Sequence, residues 1–324
     1  MLILSIFISN WEAHMKKDIG LILSGGGAKG AYQIGVFRAL EESNLKKYIT
    51  GISGTSIGAL NTALFTCSNA VTAEEIWKNV KQSDLLFFNP DEFIKNLIND
   101  NLDLPLLLYL KRFLPLYNKV KIIKFLLLYK RIILNYGGLF SQDKLKQMLN
   151  NDIDIDVALV NKYNIFSTTC NNVTDFVSKA ATHHSWNNKT KSEIIDIILG
   201  SSAIPFIYPK KCKLDFGIIN SMCDGGIADN TPIRPLYNIG YRNFIVVYLL
   251  NNKNKALNKL IEDEKKDYPD AKIIRIIPNH TNFGDDLYHT FKTDKGKTIR
   301  LIETGYQDTM FELKGAVQFG LNYI

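Results

Sequence analysis

Ser56 sits in Gly54-Thr55-Ser56-Ile57-Gly58, with the apolar run Ile49–Ile52 before it and the helix formers Ala59–Phe65 after it. A strand, a tight turn and a helix, with serine at the apex and glycines two places either side, make the G-x-S-x-G elbow pattern. The glycines have a steric purpose. The serine occupies a strained turn, and side chains two residues away would collide with the neighbouring strand and helix. The helix that follows aims its N-terminal N–H groups and positive dipole end at charge developing on Ser56 or its substrate. A nucleophilic serine is the expectation. So short a pattern also arises by chance, and only the strand–turn–helix context separates the two.

A second motif, Gly25-Gly26-Gly27-Ala28-Lys29-Gly30, follows the apolar run Ile19–Leu23 and opens a stretch in which Ala31, Ile34, Phe37 and Leu40 recur at helical spacing. Gly25-x-Gly27-x-x-Gly30 also fits a dinucleotide fingerprint, which needs an acid at the end of the second strand to hold the ribose. That strand ends in Gly51-Ile52-Ser53-Gly54, and the nearby Glu41 and Glu42 fall on the helix, so a nucleotide-binding oxidoreductase is disfavoured. A Walker A loop is excluded, because no G-K-[ST] follows. Consecutive bare glycines can instead present backbone N–H donors to a carbonyl oxygen that gains charge during acyl transfer. Losing one such donor typically costs on the order of 3 kcal/mol of barrier. In a parallel sheet the loop after the first strand and the elbow after the second open at the same carboxyl edge, so both motifs can face one substrate.

Ser56 needs a base. The histidines are His14, His183, His184, His280 and His289, and none sits in a motif. A serine–acid–histidine order would use Asp224 followed by His280 or His289. Asp224 does sit in a motif, Asp224-Gly225-Gly226, after an extended run and before a turn. As structure alone it is an Asx-turn aspartate. As chemistry its carboxylate takes the serine proton directly. An ordinary aspartate, of pKa ~3.9, is a weak base, so such a dyad would depend on proximity, a partly dry pocket and the oxyanion donors.

Taken in order, Gly25–Gly30, Gly54–Gly58 and Asp224–Gly226 resemble the three signatures of the patatin-like phospholipases. Ser201-Ser202-Ala203-Ile204-Pro205 and Asp229-Asn230-Thr231-Pro232 are similar to segments that family carries around its third motif, and the resemblance spans roughly residues 19–250. It implies an α/β fold, a three-layer α/β/α sandwich with a mostly parallel central sheet. It implies hydrolysis of acyl esters of phospholipids or related lipids, without cofactor or metal. Carried over by position, Ser56 would be the nucleophile, Asp224 the base of a Ser–Asp dyad and Gly25 to Gly30 the oxyanion loop, with Gly54, Gly58, Gly225 and Gly226 as supporting glycines. Lys29 stands where the family often has arginine, which keeps the charge. The alternatives are a Ser–His–Asp esterase and a catalytically silent lipid-binding protein of the same fold.

The elements that must position these groups follow from hydrophobic runs. Ile153–Val160 and Tyr163–Thr169 are expected as strands, Ser192–Leu199 as a helix, and Asp215–Cys223 as an extended run. Asn243–Leu250 and Ala271–Ile277 are further strands separated by a helix or loop at 251–268, and Thr293–Leu313 is a closing helix. Ser141 is expected to cap a helix over Gln142–Leu149. The expected organisation is an extension at 1–18, with Met15 an alternative start, a catalytic domain at 19–250, and a C-terminal extension at 251–324 packed on it. Within the catalytic domain the stretch 84–135 is an apolar insert interrupted by Pro90, Pro105 and Pro115. From Lys111 to Arg131 it carries cations with no acid among them. It fits either core-packed helices with solvated lysines or a lid that touches lipid.

The 324 residues are 46% hydrophobic and 22% charged, which excludes a disordered chain. Four widely spaced cysteines without a C-x-x-C pair exclude a disulfide framework or zinc site and read as thiols. The net charge of +7 favours anionic surfaces. With the resemblance, this predicts an acyl-lipid substrate and peripheral contact with anionic membranes, with nucleic acid not expected. Cytoplasmic placement with membrane association follows, as Met1–Ser9 is too short to span a bilayer and has no cleavage site. Export by a route without a cleaved signal stays open.

Overall fold

The computed structural model describes residues 18–85, 140–160, 163–171, 180–204, 207–208, 211–215, 218–279 and 293–318. The extension before Asp18, the insert beyond Leu85, and His14, His280 and His289 lie outside the described residues. The chain opens with β1 (Ile19–Leu23), α1 (Ala31–Glu42), β2 (Ile49–Thr55), α2 (Ile57–Cys67), α3 (Ala70–Asn79) and the short α4 (Gln82–Leu85). It resumes with α5 (Asp143–Asn151), α6 (Ile155–Val160), β3 (Asn164–Asn171), β4 (Ala180–Ser185) and α7 (Lys191–Ser201), then the hairpin β5 (Lys211–Asp215) and β6 (Ile218–Asp224). α8 (Arg234–Asn238), β7 (Asn243–Val247), α9 (Lys255–Asp267), β8 (Lys272–Ile276) and α10 (Lys295–Gln318) follow.

Every residue of β1 is buried, as a strand apolar on both faces requires. It lies between β2 and β7 in parallel register, β3 extends the parallel set beyond β2, and β8 extends it beyond β7. The full order is β5-β6-β3-β2-β1-β7-β8, with β4 also paired to β3. The departures from parallel are at the β3 side, where β4 and β6 run antiparallel to β3 and β5 antiparallel to β6.

Alternation along the central strands sorts the core into two. Leu21, Leu23, Ile245 and Val247 point into a large cluster with Ile34 and Phe37 of α1, Leu60 and Leu64 of α2, and Ile302 of α10. Ile22, Phe244, Val246 and Tyr248 point the other way, onto Leu236 of α8 and Leu257 of α9. Helices therefore cover both faces of a mostly parallel sheet, the expected three-layer sandwich. α10 is fixed to α1 by Tyr32, whose hydroxyl donates to Asp308 Oδ2 at 2.9 Å, and by Arg38, whose Nη2 donates to Glu303 Oε2 at 2.7 Å.

One local expectation needs correcting, and one strand carries no sequence signal. Ile153–Val160 is not a strand: its main part is the helix α6. Isoleucines alternating with aspartates imitate a strand period, but Ile155 and Ala158, three apart, are the buried pair of the helix, while Val157 and Val160 are exposed. The run Asp215–Cys223 is extended as expected from Ile218 onward, where it is β6, while Asp215 ends β5, with which β6 forms a hairpin. β4, with the sequence AATHHS, carries no apolar alternation and was not anticipated; it is ordered by pairing with β3. Ser141 does accept from the Asp143 N–H at 3.0 Å, so its capping contact falls on the first residue of α5.

Candidate active site

β2 carries Thr55 to the carboxyl edge beside Thr168 of β3, and the chain then reverses through Ser56 into α2. Ser56 has φ 56° and ψ −122°, an uncommon conformation for a residue with a side chain. The flanking glycines are needed sterically. A Cβ on Gly54 would lie 2.4 Å from the Gly58 carbonyl oxygen, and one on Gly58 would lie 2.1 Å from that of Leu23. The turn is further pinned from α7. Ser56 N–H donates to Ser201 Oγ at 2.8 Å, and Ser201 Oγ donates to the Thr168 carbonyl at 2.5 Å.

Asp224 reaches the same place from the opposite direction. β3 pairs on one side with β4 throughout Phe166–Asn171, so β2 and β6 must share its other side. β2 runs along that side up to the pair Thr55–Thr168, and β6 runs down it to the pair Thr169–Asp224. The two strand ends therefore meet, and Ser56 and Asp224 with them. Ser56 Oγ donates to Asp224 Oδ2 at 2.7 Å, and the Gly226 N–H donates to Asp224 Oδ1 at 2.7 Å. Both residues are buried, at 5% and 6% exposure. Burial pushes the Asp224 carboxyl up to about 6, against the opposing pull of the hydrogen bonds from Ser56 and Gly226. A Cβ on Gly225 would meet the Thr168 carbonyl oxygen at 2.2 Å, so only glycine lets the chain leave Asp224 along β3.

The glycine loop closes the third side. A Cβ on Gly25 would lie 3.1 Å from the Ser56 Cβ, and the Gly25 N–H donates to the Asn230 carbonyl at 3.2 Å. Gly27 has φ 59° and starts a 3-10 turn through Gly30 that leads into α1. The Gly25 N–H and the Lys29 N–H, which donates to the Gly26 carbonyl at 3.3 Å, are both already engaged. The N–H groups of Gly26 and Gly27 have no hydrogen-bond partner among the described residues. Lys29 is buried, with 4% exposure.

Residues that carried no motif hold this loop. Trp77 Nε1 donates to Asn61 Oδ1 at 2.9 Å, and Asn61 Nδ2 donates to the Gly30 carbonyl at 3.0 Å and to Gln33 Oε1 at 2.8 Å. Gln33 Nε2 in turn donates to the Ser24 carbonyl at 2.8 Å. No sequence signal marked Asn61, Gln33 or Trp77 beyond a polar residue at a core position of a helix. Ser201 and Asn230 lay inside the two segments similar to the family's, and that was the available clue.

The described histidines are on β4. His183 Nδ1 is 2.9 Å from Thr168 Oγ1, and its Nε2 is 3.5 Å from Asp229 Oδ2. Burial holds the His183 imidazole below its ordinary value, and burial raises the Asp229 carboxyl. His184 Nε2 is 2.8 Å from Thr169 Oγ1. Neither is hydrogen-bonded to Ser56 Oγ, whose partner is Asp224. Among the described residues no cluster of three or more histidine, cysteine or acidic side chains is arranged to hold a metal ion.

A family model for the patatin-like phospholipases matches residues 21–237. The chain belongs to that family. Lysophospholipase nte1 of Aspergillus terreus is 53% identical over 49 residues, which are 15% of this chain and 3% of that protein. Patatin-like phospholipase domain-containing protein ZK370.4 of Caenorhabditis elegans is 53% identical over 47 residues, 14% of this chain and 3% of that protein. The shared segment is thus a small fraction of those much longer relatives. Human GIVD cytosolic phospholipase A2 superposes on 93% of this chain and 59% of its own with a TM-score of 0.55 at 10% identity, a likeness of fold.

Proposed function

We propose that the protein is a lipid acyl hydrolase of the phospholipase A or lysophospholipase type, acting through Ser56 and Asp224 without a metal. The observation that carries this is the 2.7 Å hydrogen bond from Ser56 Oγ to a buried carboxylate, made at a strained elbow beside a glycine loop. Ser56 Oγ attacks the ester carbonyl carbon as its proton passes to Asp224. An aspartate at about 6 holds that proton better than an ordinary one and is still ionised at neutral pH. The N–H groups of Gly26 and Gly27, with the positive end of α1 behind them, face the oxyanion. Gly25 belongs to the loop but its N–H is committed to Asn230, so it supports the donors instead of being one. The tetrahedral adduct collapses, the alcohol leaves with the proton from Asp224, and the acyl group stays on Ser56. Water, deprotonated by the same carboxylate, then releases the fatty acid. The family's name, the printed names of the relatives and the net charge of +7 all support a membrane lipid as the substrate, met at an anionic surface. Among the described residues no helix is long and apolar enough to cross a membrane.

The test is the parent protein against Ser56→Ala and Asp224→Asn, each given mixed phospholipid and lysophospholipid vesicles, with released fatty acid read by mass spectrometry. A fluorophosphonate probe should label the parent at Ser56 and leave Ser56→Ala unlabelled. Full activity in Asp224→Asn would overturn the dyad and return the base to a histidine.

A further inference from the structure

A row of side chains crosses three strands next to the candidate site. Thr55 of β2 is opposite Thr168 of β3, and Thr168 is opposite His183 of β4. Residues opposite one another share a face of the sheet, so these three stand side by side. Both threonines are fully buried. Asp229 lies across the row. Thr55 Oγ1 donates to the Asp229 carbonyl at 2.9 Å, and His183 Nε2 faces Asp229 Oδ2 at 3.5 Å. On its other side His183 Nδ1 is 2.9 Å from Thr168 Oγ1. An ionised Asp229 can only accept, which puts the imidazole proton on Nε2 and leaves Nδ1 to accept from the Thr168 hydroxyl.

Asp229 is also tied to all three motifs of the candidate site. Its N–H donates to the Gly225 carbonyl at 2.8 Å, closing a turn that starts one residue after Asp224. Its Oδ1 accepts from the Thr231 N–H at 3.2 Å, and Asn230 between them accepts from the Gly25 N–H of the glycine loop. Thr55, which donates to its carbonyl, is bonded directly to Ser56. A displacement of Asp229 would therefore be felt by Asp224 through one short turn.

We infer that His183 and Asp229 act together as a clamp that positions Asp224 for the proton of Ser56, with His183 a positioning residue and not the base. This rests on the Ser56–Asp224 function proposed above and adds what holds its base in place. A misplacement of about 1 Å at a reacting group can cost on the order of a hundredfold in rate, and the dyad contact is a single hydrogen bond of 2.7 Å. Burial holds the imidazole below its ordinary value against the pull of Asp229, and Arg234 of α8 acts in the same sense as burial. His183 is thus neutral at neutral pH, with the one N–H that the clamp uses. The other titratable groups around Asp229 are Glu264 of α9 and Tyr268 just after it, and Tyr208 is the one near Asp224.

The experiment uses the full-length protein with His183→Ala, Asp229→Ala, the two combined, His183→Gln and Thr168→Val. Turnover of p-nitrophenyl butyrate is followed across the acid and neutral range, and circular dichroism checks that each variant is folded. Each alanine variant should lower kcat by about tenfold or more with KM little changed. The combined variant should be no slower than the slower single one, as for two residues that act as a unit. Loss of the clamp lets water reach the buried carboxylate, so the midpoint of kcat/KM should move down from about 6 towards the ordinary 3.8. A glutamine amide can donate to Asp229 from the place of Nε2, so His183→Gln should recover most of kcat. Thr168→Val removes only the hydroxyl and keeps the carbonyl that Ser201 uses, so it carries the test if the alanine variants do not fold. A second measurement needs no turnover. The stability that Asp224→Asn gains at neutral pH in urea unfolding should shrink by about half or more when His183→Ala is also present.

Folded variants with kcat within about twofold of the parent would overturn the clamp and leave the hydrolase standing. So would a midpoint and a stability gain that stay at the parent's values. A parent that turns over no ester would refute the hydrolase. The stability gain then decides the clamp alone, supporting it by shrinking in His183→Ala and overturning it by staying the same.

Discussion

Replacing Asp224 by asparagine should abolish turnover and make the protein more stable at neutral pH. Asparagine has the shape of the carboxyl group. Its Oδ1 can still accept from the Gly226 N–H, which lies 2.7 Å from Asp224 Oδ1, and its amide can face Ser56 Oγ, which is 2.7 Å from Asp224 Oδ2. The substitution removes one thing, a negative charge held in a buried place. Asp224 titrates at about 6 in the folded protein against an ordinary value of 3.8. Because the folded value is the higher one, the native state binds more protons than the unfolded chain between those two pH values. Stability from this group is therefore complete below the unfolded value and is lost as pH rises through the folded one. A gap from 3.8 to about 6, at about 1.4 kcal/mol for each pH unit, makes the ionised carboxylate cost about 3 kcal/mol above pH 6. Urea unfolding of the parent and Asp224→Asn at neutral pH should show the variant ahead by about that amount, with the gap shrinking as pH falls towards 4. In the parent, kcat/KM should rise with pH on a single ionisation at about 6. A variant no more stable than the parent at neutral pH, with a gap that does not change with pH, would refute the idea that burial sets the basicity of Asp224.

Ser201→Ala leaves the buried Ser56 N–H and the Thr168 carbonyl without the hydroxyl that bridges them. It should cost about 1–3 kcal/mol of stability in urea unfolding and lower kcat more than it raises KM, because Ser201 is fully buried and holds the turn through its two hydrogen bonds. Gly58→Ala forces a Cβ to within 2.1 Å of the Leu23 carbonyl oxygen, so β1 and α2 must separate. A loss of about 3 kcal/mol or more is expected, seen as a lowered melting temperature and loss of fluorophosphonate labelling. Normal stability and labelling would mean that the elbow is looser than its packing indicates.

The parts of this structure that were legible in the sequence are those whose physics is local. β1, the glycine loop, β2, the elbow and α2 lie within residues 19–67, and each is announced by an apolar run, a glycine or a helical period. The strand and helix boundaries there agree closely because backbone sterics and burial ask for the same residues. β4 was invisible for the opposite reason. Its AATHHS sequence has no apolar face, and it is a strand only because the free edge of β3 pairs with it. The α6 segment misled because two aspartates happened to alternate with isoleucines, and tertiary burial selected the helical pair Ile155 and Ala158. The network Trp77–Asn61–Gln33 that holds the glycine loop was hidden in the same way, since each residue is unremarkable until its partners are in place.

The base for Ser56 is where sequence and structure bear on each other most. Histidines stand on β4, one strand from the site, and a serine hydrolase with an imidazole base would need one of them, or one outside the described residues, beside Ser56. Pairing separates His183 from the site. Residues opposite one another on neighbouring strands share a face, and successive residues alternate. His183 is opposite Thr168 and bonds to its hydroxyl, while Asp224 is opposite Thr169, the next residue along, and so lies on the other face of β3. His183 is further engaged with Asp229, whose carbonyl accepts from Thr55 Oγ1 at 2.9 Å. His184 is opposite Ser167, and its Nε2 is 2.8 Å from the Thr169 hydroxyl. Ser56 Oγ–H meets a carboxylate alone, and the raised value near 6 gives that carboxylate the basicity that an aspartate in water lacks. In the proposed dyad, the same burial that costs stability at neutral pH would fit Asp224 to accept the Ser56 proton, so the stability gained by Asp224→Asn and the turnover it loses should have one cause.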